Sequence, residues 1–175
     1  AARDDAVKFW DTSALVPLVV DEPATTTVRQ ILSRDHDLVV WMLTSVELLS
    51  AFGRLGRQAT GLEDVVPGLR ADAIGLVARC STVTDIDGVR RRAERLVGVH
   101  PLAAADAMQL AAALVASGDR PERLEFVTLD TQLARHQFDL LQAEISERRA
   151  AAEKLRNEIE TISADVLRSE DEITH

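Results

Sequence analysis

The sequence predicts an α/β protein: a three-layer arrangement in which a mostly parallel sheet lies between helices, with one long helix added at the C-terminus. Three observations predict it. Short runs of β-branched and aromatic residues alternate with longer helical patterns, as β-α-β crossovers require. Aromatics make up only 3% of the chain, and Ala, Leu and Val carry the hydrophobicity, which suits helices packed on a Val-rich sheet. Beyond His136 the chain runs to its end without Gly or Pro, and its apolar residues recur at alternating three- and four-residue steps.

VKFW (7–10) is the first strand, a compact β-favouring run that ends at Asp11. A helix over 23–34 opens with Pro23, whose fixed φ suits a first helical turn. DLVVWML (37–43) is the second strand, followed by a helix over 45–58 that Thr44 or Ser45 can cap. A helix over 62–79 leads to STVTDI (81–86), the third strand. Arg90, Arg91, Arg92 and Arg95 then cluster on a stretch that reads either as turn-rich or as a solvated helix face. The Ala-rich segment 101–117 is a helix closing before Gly118, and LEFVTL (124–129) is the last strand. The division is a domain over 1–136 and a helical extension over 137–175.

Four acidic residues stand in otherwise apolar or small-residue surroundings: Asp11 in VKFWDTSALV, Glu47 in LTSVELLSA, Asp106 in LAAADAMQLAAA and Asp130 in LEFVTLDTQLA. Burying an unpaired carboxylate is costly, so each needs a proton, donors or a cation. Any one alone reads more simply as a helix cap or an edge residue. The architecture gives the four a way to meet, because ligands of open parallel sheets bind at the carboxyl ends of the strands where strand order reverses. Asp11 and Asp130 fall at such ends. Glu47 falls in the first turn of its helix, and Asp106 lies within a helix whose small residues permit close approach to the sheet.

Composition narrows the function further. The net charge is −9, unevenly divided: residues 1–136 hold 15 Lys/Arg against 19 Asp/Glu, and residues 137–175 hold 5 against 10. If a cation compensates the four central carboxylates, the rest of the body is close to neutral, and such a balance with a local basic patch neither demands nor excludes a nucleic acid. The single cysteine, Cys80, rules out an internal disulfide framework and fits a reducing compartment, so a cytoplasmic location is expected. The opening AARDDAVK is charged, and neither a signal peptide nor a membrane span is expected. Phosphate-binding loops of the G-x-x-x-x-G-K-[ST] and G-x-G-x-x-G kinds are absent, as is a G-x-S-x-G elbow. An aspartyl phosphotransferase would want a second Asp two residues after the first, where Ser13 stands. The four histidines are scattered.

The segments FWDTSALVPLVVDE, TSVELLSAFGRL, HPLAAADAMQLAAAL and FVTLDTQLA resemble the acidic motifs of PIN-domain ribonucleases, most closely the VapC toxins of bacterial toxin–antitoxin pairs, over about residues 7–136. The resemblance implies that Asp11, Glu47, Asp106 and Asp130 bind Mg²⁺ or Mn²⁺ and cleave RNA, with Ser13 and Thr128 at the family's small hydroxyl positions. It also implies a cognate antitoxin as partner. The residue chemistry agrees, since an all-carboxylate site free of His and Cys selects hard cations. Asp11 and Asp106 are expected as direct ligands, and Glu47 and Asp130 as positioning water or binding a second ion. The rival reading is a catalytically idle PIN-like fold that serves assembly.

The C-terminus departs from that family, whose last Asp is followed by a short helix and usually a closing strand. Here Ile145, Ala152, Ile159 and Val166 form one core position of a heptad seam, and Leu141, Leu155 and Ile162 the other. One long helix over 137–168 is expected, its seam buried against another chain to give an oligomer. Folding back over a bare sheet edge, or a segment foreign to the family through fusion or frameshift, are the alternatives. Asp165 and Glu170 would repel in a parallel pair, which leaves antiparallel or heteromeric pairing open.

Overall fold

The computed structural model describes residues 7–34, 37–58, 61, 64–120, 123–131, 133–135, 139, 146 and 150–162. The chain divides into two compact units, Ala1–Gln137 and Phe138–His175. In the first unit the elements run β1 (Val7–Trp10), α1 (Thr12–Val19), α2 (Thr25–Arg34), β2 (Val39–Trp41), α3 (Thr44–Gln58), α4 (Val66–Val77), β3 (Ser81–Val83), α5 (Ile86–Val99), α6 (Ala104–Ala116) and β4 (Leu124–Val127).

The four strands form one parallel sheet in the order β3-β2-β1-β4. Trp10 lies beside Val127 in register, Phe9 beside both Val39 and Phe126, and the Phe9 and Phe126 rings stack with centroids 5.6 Å apart. The chain lays strands to one side of β1 and then crosses to the other for β4, so strand order reverses between β1 and β4. That reversal opens a crevice at the carboxyl ends of the two strands.

Side-chain alternation sends Trp10 and Val40 to one face of the sheet, where they join Ala14 and Leu15 of α1, Val28 of α2, Leu48 and Phe52 of α3, and Ala73 and Leu76 of α4 in one core. On the other side α6 packs against all four strands, and α5 packs on α6. The α6 helix explains its own burial. Apolar nearly all round, it buries Ala107, Leu110, Ala111, Ala112, Ala113 and Leu114, and its alanines let the backbone come close to the strands. Gly118, at φ +62°, ends it as a left-handed cap.

Most expected elements are present with trimmed ends: β3 stops at Val83, and Ile86 already belongs to α5. One open reading is decided and one helix is new. The stretch holding Arg90, Arg91, Arg92 and Arg95 takes the helical of its two readings, because Asp85 caps it by accepting from Gly88 N at 2.9 Å and Val89, Ala93 and Leu96 recur on its buried face. A Cβ at Gly88 would sit 2.1 Å from Asp85 Oδ2, so a larger residue there would make the capping side chain shift. The residues directly after Asp11 are also helical, with Pro17 buried inside α1.

In the second unit residues 150–162 are helical. Among the described residues of this unit, Leu155, Ile159 and Ile162 are 59%, 63% and 62% exposed. Leu141, Ile145 and Val166 lie outside the described residues. Among the described residues no helix is long and apolar enough to cross a membrane.

Candidate active-site cleft

A cleft of about 540 Å³ opens at the carboxyl end of the sheet, and Asp11, Glu47, Asp106 and Asp130 all line it. Its other lining residues include Thr12, Ser13, Ser50, Arg54 and Gln109. Four acids spread over some 120 positions of sequence are thus brought together by β1, α3, α6 and the segment after β4.

The floor is built on Asp11, which ends β1 and caps α1. It is 5% exposed, and its backbone N–H continues the sheet by donating to Val127 O at 3.0 Å. One carboxylate oxygen, Oδ2, accepts from Ser13 N at 3.1 Å, Ser13 Oγ at 2.5 Å and Thr128 Oγ1 at 3.0 Å. Both hydroxyls are themselves held: Leu129 N donates to Ser13 Oγ at 2.9 Å, and Asp130 N to Thr128 Oγ1 at 3.0 Å. Asp130 in turn caps the helical turn that follows, its Oδ1 accepting from Leu133 N at 2.9 Å. Ser13 and Thr128 therefore tie the acid after β1 to the acid after β4.

The wall is formed by α3 and α6. Glu47 lies in the first turn of α3, and its Oε2 accepts from Thr12 Oγ1 and from Gln109 Nε2, the latter at 2.6 Å. Burial raises the proton affinity of Glu47 above the ordinary glutamate value; the Thr12 and Gln109 bonds work against that rise, and the charges of Asp11 and Asp106 add to it. Asp106 stands in the first turn of α6 and Gln109 one turn further on, so the two share a helix face. Along α3, Glu47, Ser50 and Arg54 follow at helical spacing on the cleft side, with Arg54 Nη1 donating to Ser50 Oγ at 3.0 Å.

Two arginines of α5 and the cysteine are engaged elsewhere. Arg92 is bound to Asp119 and to Gly88 O, and Arg90 to Asp87 and Glu94, so these arginines serve α5 and its surroundings. Burial pushes the Cys80 thiol up, and it donates to Leu76 O at 3.4 Å, as a core residue does.

The donor chemistry of the cleft fits a hard divalent cation, because every acidic group offered to it is a carboxylate oxygen. Among the described residues no three His, Cys, Asp or Glu side chains converge closely enough to hold an ion as they stand. Sequence reading did not single out Thr12, Gln109 or Arg54. Their signals were spacing: one residue after Asp11, three after Asp106 and seven after Glu47.

A family model for the PIN domain matches residues 8–139. No curated protein matches the chain. The chain belongs to the PIN domain family, whose fold is generally that of a metal-dependent nuclease acting on RNA or DNA and whose members generally bind divalent metal ions.

Proposed function

We propose that this PIN-domain chain is a Mg²⁺- or Mn²⁺-dependent endoribonuclease, the VapC-like toxin of a cytoplasmic toxin–antitoxin pair, with the nuclease domain over residues 1–136. The observation that carries the reading is the meeting of Asp11, Glu47, Asp106 and Asp130 in one cleft at the strand-order reversal. Asp11 and Asp106 are the residues that would hold the ion, with Glu47 and Asp130 beside them. When bound, the ion supplies positive charge against the phosphate and acidifies water.

The chain's own groups do the rest. Ser13 and Thr128 fix the Asp11 carboxylate, so its orientation is set before any ligand arrives. Glu47, with its raised proton affinity, is suited to take the proton of an attacking water. Arg54 gives this acidic cleft a guanidinium for a neighbouring phosphate. Water adds to phosphorus, the bond from phosphorus to the 3′ oxygen breaks, and that oxygen takes a proton. The products are a 5′-phosphate and a 3′-hydroxyl. Attack by the RNA's own 2′-hydroxyl would leave a cyclic phosphate instead.

A second reading, an idle nuclease fold whose role is assembly, draws support from the exposed Leu155, Ile159 and Ile162, which fit a helical partner. Incubating single-stranded RNA with the intact chain and Mn²⁺ separates the two. The nuclease reading expects cleavage to 5′-phosphate ends, lowered at least about a hundredfold in Asp11→Asn, the scale on which positioned catalytic groups act. Cyclic-phosphate ends, or cleavage that survives both chelator and loss of Asp106, would overturn it.

A further inference from the structure

We infer that Gln109 is a positioning residue of the cleft: its amide nitrogen fixes the Glu47 carboxylate and the Thr12 hydroxyl, and so sets the acid of α3 against the acid of α6. The inference rests on the metal-dependent reading and deepens it.

Gln109 is 1% exposed, in a helix whose other buried residues are Ala and Leu. A buried amide is costly unless its polar atoms are paired, so a leucine or methionine would fill the same space with less penalty. Only one end of this amide is paired. Its Nε2 lies 2.6 Å from Glu47 Oε2, 2.9 Å from Thr12 Oγ1 and 3.5 Å from Thr44 Oγ1, whereas its Oε1 is buried with no partner among the described residues. A glutamine kept for packing alone has no reason to crowd three acceptors round its nitrogen and leave its oxygen bare.

The orientation of the amide follows from the same neighbours. Turning it over would set a carbonyl oxygen 2.6 Å from a carboxylate oxygen, a repulsive contact between two acceptors. With the nitrogen inward, Glu47 Oε2 receives both Gln109 and Thr12 and loses its freedom to rotate. Glu47 Oε1 stays outside these bonds. Gln109 and Asp106 share a face of α6, so one helix presents an acid to the cleft and, a turn deeper, the donor that aims the acid of the opposite helix.

The test compares Mn²⁺ affinity, measured directly by calorimetry or electron paramagnetic resonance, with kcat and KM on single-stranded RNA. Gln109→Met keeps the volume and removes the donor. It should bind Mn²⁺ about 10–100-fold more weakly, the usual cost of losing a group that orients a ligand, and lower kcat to a similar degree with KM unchanged. Gln109→His, whose Nε2 reaches about as far as the glutamine amide, should recover most of both. Mn²⁺ affinity and kcat unchanged in Gln109→Met overturn the inference, whatever happens to its melting temperature. Should Gln109→Met not fold, Gln109→Asn, which keeps the amide but cannot reach, takes its place with the same two outcomes. A parent chain that binds Mn²⁺ yet cleaves no RNA defeats the nuclease reading while the affinity comparison still decides Gln109; a parent that binds no Mn²⁺ defeats both.

Discussion

The floor of the cleft and its wall both hold a carboxylate among hydroxyls, but they are supplied with donors differently. On the floor, Asp11 Oδ2 receives a backbone N–H and two hydroxyls, and those hydroxyls are anchored by backbone N–H groups of the segment after β4. On the wall, Glu47 Oε2 receives one hydroxyl and one side-chain amide, no backbone N–H among these, and faces the charges of Asp11 and Asp106. Backbone donors come with the fold and are hard to lose. Each side-chain donor depends on one residue, and on the wall burial raises the proton affinity of Glu47 against the pull of its two hydrogen bonds. The lesson is that one carboxylate of a cleft can be held in part by the backbone of the fold while its neighbour depends on side chains that a single substitution removes.

The largest effect should come from testing whether a cation binds this arrangement at all. An ion that binds only the folded chain stabilises it by about 2.7 kcal/mol at a hundred times its Kd, which for a chain of this size raises Tm by roughly 5–10 °C. Thermal unfolding with and without millimolar Mn²⁺ should show that rise in the parent and little of it in Asp11→Asn. An equal rise in both would mean that the floor does not take part in holding the ion.

Glu47→Gln probes the wall by pH. The folded chain holds the Glu47 proton more tightly than the unfolded chain does, so folding takes up a proton between the ordinary value of 4.5 and the raised one. In chelator, stability of the parent therefore falls as pH rises through that window and stays lower above it. Glu47→Gln lacks this loss. Its Tm relative to the parent should climb from pH 4 to pH 8 without metal, and the advantage should shrink when Mn²⁺ is present. An advantage that instead declines with pH would mean that the hydrogen bonds from Thr12 and Gln109 outweigh the burial of the Glu47 carboxylate.

How much of this was legible in the sequence follows from what each residue type advertises. The strands announced themselves through runs such as VKFW and LEFV, and the four acids did so because a charge in an apolar segment has few explanations. α1 was hidden because β1 passes into it through Asp11 alone and Pro17 reads as a breaker. α5 was ambiguous because its arginines mask the buried spacing of Val89, Ala93 and Leu96. Gln109 carries no charge, and in AAADAMQLAAA it looks like a tolerated polar residue. Its meaning depends on which way the helix is turned, which tertiary packing decides and periodicity in an all-round apolar helix does not. The heptad of the tail was legible as a pattern, yet Leu155, Ile159 and Ile162 face solvent, because a seam specifies that something must cover it and not what does.

The smallest effects belong to a matched pair of Thr→Val substitutions, one on each side of the comparison. Thr128 on the floor donates to Asp11 Oδ2 at 3.0 Å and accepts from Asp130 N at 3.0 Å, so Thr128→Val strips a donor from a buried carboxylate and an acceptor from a backbone N–H. Losing a hydrogen bond to a charged group costs about 1.5–3 kcal/mol. Thr44 on the wall is also buried, but its hydroxyl receives only the longest of the three contacts made by Gln109 Nε2, at 3.5 Å. An amide nitrogen has two hydrogens, and Glu47 and Thr12 already take both at shorter range. Thr44→Val therefore removes a redundant acceptor and replaces a poorly used buried hydroxyl with a methyl group of similar size, a change expected to stay within about 0.5 kcal/mol. Urea unfolding of the two variants in chelator measures the difference. If Thr44→Val proves as costly as Thr128→Val, all three acceptors round Gln109 are needed, and the wall is as tightly specified as the floor.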